Sequence, residues 1–191
     1  HVRMLIKQRI LRKDEGEEII KALCKTLADY DLGRFALDAS LEDVHTNVEE
    51  AVTRLTPFGK KMHIARSRND QVLLDMRMYM RDEIIVLGKA AIRLQESFAA
   101  LAKKDSLMVG YTHTRVAQPM TVSFWCDAHI QSLGRDIDRL LSCLERMDAN
   151  PLGAGALTGT NWQIDRAHTA ALLAFSTVQE NALDAITSRG E

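Results

Sequence analysis

The stretch "NDQVLLDMRMYMRDEIIVLGKAAIRLQESFAALAKK", Asn69–Lys104, decides the fold. Within it Leu73, Met76, Met80, Ile84, Leu87, Ala91, Leu94, Phe98 and Leu101 follow one another in steps of three and four. That spacing puts them on one side of an α-helix, and no proline interrupts the run. A single helix is expected, roughly 50 Å long at about 1.5 Å per residue. Downstream, Cys126, Ile130, Leu133, Ile137, Leu140, Leu144 and Met147 repeat the spacing as far as Asn150-Pro151, where proline ends the run. The short Asp105–Gln118 connection makes these two helices antiparallel neighbours. A third helix is expected from Asp165 to about Ala185, apolar at Ala171, Leu172, Phe175, Val178 and Ala182.

Upstream, shorter helices are expected over Val2–Ile10, Asp14–Asp29 and Leu41–Leu55, the last stopping before Pro57. The fold class is all-α, with long antiparallel helices forming part of a central helical bundle and the apolar stripes as its core. Residues 1–65 are expected to be the remainder of a small helical N-terminal domain, and 66–191 a long-helix bundle domain. The chain opens on His1, already inside an amphipathic pattern without a cap, so it is expected to be part of something longer.

Composition narrows the function classes. The formal net charge of -1 gives no electrostatic reason for a nucleic-acid partner. No apolar run approaches the roughly 20 residues that span a bilayer. Cys24, Cys126 and Cys143 are widely spaced and include no CxxC pair, which argues against a disulfide framework or thiolate metal site and fits a reducing, cytoplasmic setting. His45, His63 and His113 lack HxxxH-type spacing, so no metal is expected.

Two polar segments carry candidate chemistry. Arg66, Ser67, Arg68, Asn69 and Asp70 precede the first long helix. They can serve as caps for its free N–H groups, or two guanidiniums, an amide and the helix end can grip a carboxylate. Thr112 and His113 lie in "GYTHTRVAQP", Gly110–Pro119, where the imidazole is either simply solvated or placed for proton transfer. The glycine-rich "PLGAGALTGT", Pro151–Thr160, follows a helix and lacks both GxGxxG spacing and a GK[ST] ending, so it reads as a closely packed turn rather than a phosphate loop.

Taken together, "EDVHTNVE", "GKKMHIARSRNDQV", "DMRMYMRDEI", "GYTHTRVAQP", "NPLGAGALTGT" with "IDR", and "NALDA" resemble the argininosuccinate lyases of the fumarase/aspartase superfamily. The resemblance implies a cofactor-free β-elimination that cleaves argininosuccinate to arginine and fumarate, a step of arginine biosynthesis. It implies His113 as the catalytic histidine, Asn69 and Thr112 as substrate-binding residues, Ser67 and Arg68 in the same gripping segment, and Asp43 and His45 near the pocket. It also implies a homotetramer whose active sites draw on several subunits. Arg115 stands where the family usually has glutamine, and Ile64 and Ala65 replace a threonine and a glycine. The family's loop with the catalytic serine is expected after this stretch, so the segment alone is expected to be inactive. Two other readings share the scaffold: a non-catalytic helical-bundle protein, and a lyase releasing fumarate from another amine.

Overall fold

Helix α1 (Val2–Lys7) stops short of Ile10 because Arg9 turns left-handed, at φ 58°, and the amides of Ile10 and Leu11 both return to the Leu5 carbonyl. The computed structural model describes residues 1–190. Helix α2 (Lys13–Asp31) carries Asp14 and Glu15 in its first turn, where the helix dipole favours negative charge. It ends at Gly33, whose φ of 67° lets the Arg34 and Phe35 amides fold back to the Asp29 carbonyl. Helix α3 (Val44–Leu55) begins three residues later than the pattern predicts, because Asp43 is its cap and accepts the Thr46 N–H at 2.7 Å. A 3-10 turn, Gly59–His63, follows Pro57. Met4, Leu5, Ile19 and Val52 are at most 1% exposed and form the centre of this core. Each such side chain contributes about 1.5–3 kcal/mol through burial.

Helix α4 (Arg68–Ala102) is the long helix read from the sequence, 35 residues without a break. The connection after it is not a plain loop. Leu107–Thr112 (β1) and Arg115–Thr121 (β2) form an antiparallel hairpin, running from the Leu107–Thr121 pair to the Thr112–Arg115 pair. The register shifts between Val109 and Tyr111, and most of both strands is exposed, so no inside–outside alternation marks them in the sequence. Helix α5 (Val122–Met147) starts three residues beyond the expected connection, capped by the Thr121 hydroxyl, which accepts the Phe124 N–H.

The expected third long helix is corrected. Helix α6 (Arg166–Leu172) ends as Ala174 turns left-handed, at φ 56°, with the Phe175 amide bonded to the Ala170 carbonyl. Leaving the helix lets Phe175 bury to 6% exposure. Thr177–Val178 (β4) then pairs in parallel with Ala149–Asn150 (β3), and α7 (Ala182–Thr187) starts afresh on an Asn181 cap. β-branched residues and short polar caps outcompete a weak apolar period here.

The chain packs as two compact units, His1–Leu74 with Ala149–Arg189, and Asp75–Asp148, whereas the pattern change in the sequence falls at residues 65/66. In the second unit the Gln95 side-chain amide donates to the Ile130 carbonyl at 2.8 Å, and Phe98 stacks on His129 with Trp125 edge-on to both. The α4 stripe is core only in part. Leu73 and Ile84 are buried, but Met76, Leu87 and Leu94 are 48%, 55% and 47% exposed. Among the described residues no helix is long and apolar enough to cross a membrane.

Candidate functional site

The side chains of Ser67 and Asp70 both accept backbone N–H groups at the start of α4. The Ser67 hydroxyl accepts the Asn69 N–H at 3.3 Å, and the Asp70 carboxylate accepts the Ser67 N–H at 3.2 Å. The spacing is the S-x-x-D of a capping box, with the hydroxyl taking the N–H of Asn69 in place of that of Asp70, and the Asn69 side chain is exposed. The Asn69 carbonyl oxygen accepts from the Arg189 guanidinium at 3.2 Å.

Arg68 points to α3. Its Nε lies 3.0 Å from Asp43, and its Nη1 lies 3.2 Å from Glu49 and 2.8 Å from the Gln71 side-chain oxygen. The guanidinium thus joins Asp43 and Glu49 to the first turn of α4, with two carboxylates already against it. His63 adds to this network through Nδ1, 2.9 Å from Glu49. Of the residues expected near the substrate, Asp43 and Arg68 are therefore in direct contact, and Ser67 and Asn69 share the adjoining turn. His45 follows the cap by two residues and is half-buried.

Ala65 holds φ 61°, a left-handed conformation that a glycine would adopt without strain. The residue immediately before the gripping segment is thus conformationally costly in this chain.

Asp70 was legible in the sequence as a cap, but its second role was not. The side chain is fully buried, at 0% exposure, and its other oxygen accepts the Gly155 N–H at 2.8 Å. Burial pushes the Asp70 carboxyl above its ordinary range, while the N–H groups of Gly155 and Ser67 and the charge of Arg66 oppose the shift. Gly155 belongs to the glycine-rich loop, where Gly153, Gly155 and Gly159 all have positive φ. A side chain at Gly155 would come within 2.8 Å of the Gly159 carbonyl oxygen, so the loop closes only on glycine. Arg166 fastens it from within, donating to the carbonyls of Leu152, Pro151 and Gln179 at 3.2, 3.2 and 2.9 Å. The closely packed turn expected from the sequence is what forms.

Thr112 and His113 belong to the other unit. Thr112 ends β1, and His113 and Thr114 form the hairpin turn, with φ values of 50° and 66°. Left-handed geometry at both positions fits the twist of a tight hairpin. His113 is exposed, nine residues ahead of the first residue of α5 rather than at a helix start. Among the described residues no group of three or more His, Cys, Asp or Glu side chains is arranged to hold a metal ion. The chemistry on offer is that of an accessible imidazole, a hydroxyl and amide donors, which suit proton transfer and binding of carboxylates.

Comparison with known proteins fits that chemistry. A family model described as lyase matches residues 3–191. The argininosuccinate lyase of Heliobacterium mobile is 43% identical over 195 residues, covering 99% of this chain and 42% of that protein. The argininosuccinate lyase of Nitrosococcus oceani is 44% identical over 192 residues, covering 99% and 41%. Among solved structures, EDDS lyase in complex with formate superposes with a TM-score of 0.84 at 33% identity, over 99% of this chain and 37% of that one. A Brucella melitensis fumarate lyase:delta crystallin bound to cobalt shares the fold, with a TM-score of 0.80 at 19% identity, over 99% and 47%. The chain spans about two fifths of the length of the argininosuccinate lyases it matches.

Proposed function

Because the chain belongs to the lyase family matched over residues 3–191, we propose that it forms part of an argininosuccinate lyase, which cleaves a C–N bond to release arginine and fumarate. The observation that carries this reading is identity of 42–44% to proteins of that name across 99% of the chain, with "SRND" and "GYTH" both intact. In this reading a base takes the proton beside a substrate carboxylate, the charge spreads into that carboxylate, and the C–N bond then breaks. His113 takes part in the proton transfer. Asn69, Ser67 and Thr112 donate to the carboxylates, whose developing charge is where preorganised donors act most strongly. Asp43 and His45 border the pocket, and Arg68, held between Asp43 and Glu49, fixes the turn from which Asn69 projects.

Asn69 lies in the first turn of α4, whereas Thr112 and His113 follow its last turn, and a helix of 35 residues is about 50 Å long. This supports a site assembled from more than one copy of the chain; the family resemblance makes that assembly a homotetramer in our reading, with a cytoplasmic setting. The open positions of the α4 stripe, Met76, Leu87 and Leu94, supply an apolar face for that assembly. The residues of the 191-residue stretch are read as one portion of the site, inactive in isolation.

The likeness to EDDS lyase favours a second reading, a C–N lyase acting on another amine. A substrate panel separates the two. The product of the gene that carries this chain is incubated with argininosuccinate, adenylosuccinate, aspartate and EDDS, and fumarate is followed by ultraviolet absorbance. Release from argininosuccinate above all others is expected; release only from another amine would favour the second reading, and release from none would contradict both.

A further inference from the structure

We propose that Asp70 is a positioning residue for the substrate-binding turn. One buried carboxylate joins the Ser67 amide to the Gly155 amide and thereby fixes the Ser67–Asn69 backbone against the glycine-rich loop. The proposal rests on the reading above in so far as Ser67 and Asn69 hold the substrate.

Capping α4 needs only the contact with Ser67, which an exposed glutamate or glutamine at this position would supply. Asp70 does more, at a cost. It is fully removed from solvent, and its second oxygen takes an N–H from a residue 85 positions away. Burying a carboxylate is unfavourable unless its oxygens are matched by donors. Here they are matched by backbone N–H groups, at 3.2 Å from Ser67 and 2.8 Å from Gly155, with that of Gly153 also acting on the carboxylate. The loop that presents the Gly155 amide is itself held. Its backbone requires glycine at residue 155, its Asn150 side chain is buried and accepts the Leu152 N–H at 3.1 Å, and the Arg166 guanidinium binds its carbonyls. The tether therefore runs from a rigid loop to the residue next to Asn69.

An asparagine at this position has nearly the same shape but only one accepting oxygen, so its NH2 group must face one of the two amides. Asp70→Asn thus breaks one arm of the tether without opening a cavity. Steady-state kinetics and amide exchange are measured on the whole gene product, for wild type, D70N and Val52→Ala. The last removes side-chain volume from the core of the same unit, outside the site, and controls for general loss of stability.

For D70N, KM for argininosuccinate is expected to rise about tenfold or more, with kcat changed less, in line with the loss of a charge-assisted hydrogen bond. Amide exchange at Ser67 or Gly155 is expected to accelerate by about as much. V52A should lower the melting temperature and leave KM in place. An unchanged KM in D70N, or an equal rise in V52A, overturns the proposal. Should the wild type turn over no argininosuccinate, the functional reading falls, and the tether is judged on exchange alone, with unchanged protection in D70N overturning it. If D70N does not fold, Asp70→Glu, which keeps the charge and displaces the oxygens, is measured against the same two criteria.

Discussion

Lys61 sits 2.7 Å from Glu15 across the core of the first unit, and this contact sets the sign of an acid response. The Lys61 hydrogen bond, with lesser help from Arg12, holds the Glu15 carboxyl below its ordinary value against the opposing effect of burial. The unfolded chain therefore takes up the proton at higher pH than the folded one. The stabilisation is fully present above the ordinary carboxylate pKa, about 4.3, and is lost as the pH falls through that value towards the folded one. In urea titrations at several pH values, Glu15→Gln should be less stable than wild type near neutrality, and the difference should shrink below about pH 4. Asp70 runs in the opposite sense, since burial raises its carboxyl and its contribution falls as the pH rises above the ordinary value. Ala65 offers a second check, because its φ of 61° costs an L-residue about 1–2 kcal/mol. Ala65→Gly removes that strain at some expense in chain entropy, and a small rise in melting temperature is expected. At this scale the motifs name Asn69, Thr112 and His113, but not what surrounds them. The partners of Arg68 are 19 to 25 residues away at Glu49 and Asp43, and that of Asp70 is 85 residues away, distances at which no sequence pattern speaks.

Helices α4 and α5 are legible because each buries or presents one stripe over many turns, so the 3.6-residue period accumulates. The hairpin between them is not, since its strands are largely exposed and its turn uses His113 and Thr114 where Asn-Gly would have announced it. The break between α6 and α7 was hidden for a related reason. Leu172, Phe175, Val178 and Ala182 keep helical spacing while Phe175 is buried by leaving the helix. Gly110 makes the hairpin testable as an element. A side chain there would collide with the Gln118 carbonyl oxygen, across the irregular part of the ladder. Gly110→Ala should cost about 1–3 kcal/mol. Amide exchange over β1 and β2 is the suitable readout, and it should accelerate there while the core around Ile19 and Val52 keeps its protection.

For the whole molecule, sequence pattern conveys the helical class and the family, while the return of residues 149–189 to the first unit follows from packing that no local pattern records. The stripe of α4 illustrates the limit: its period is that of a bundle core, yet Met76, Leu87 and Leu94 lie open in a single chain. His113 is the residue on which the proposed activity depends most. Asparagine tolerates the left-handed backbone that His113 adopts, at φ 50°, and an exposed side chain contributes little to stability, so His113→Asn isolates the imidazole. The decisive measurement is kcat for fumarate release from argininosuccinate by the gene product carrying this substitution. A loss of about 100-fold or more with an unchanged melting temperature is the predicted result; turnover equal to wild type would contradict the account.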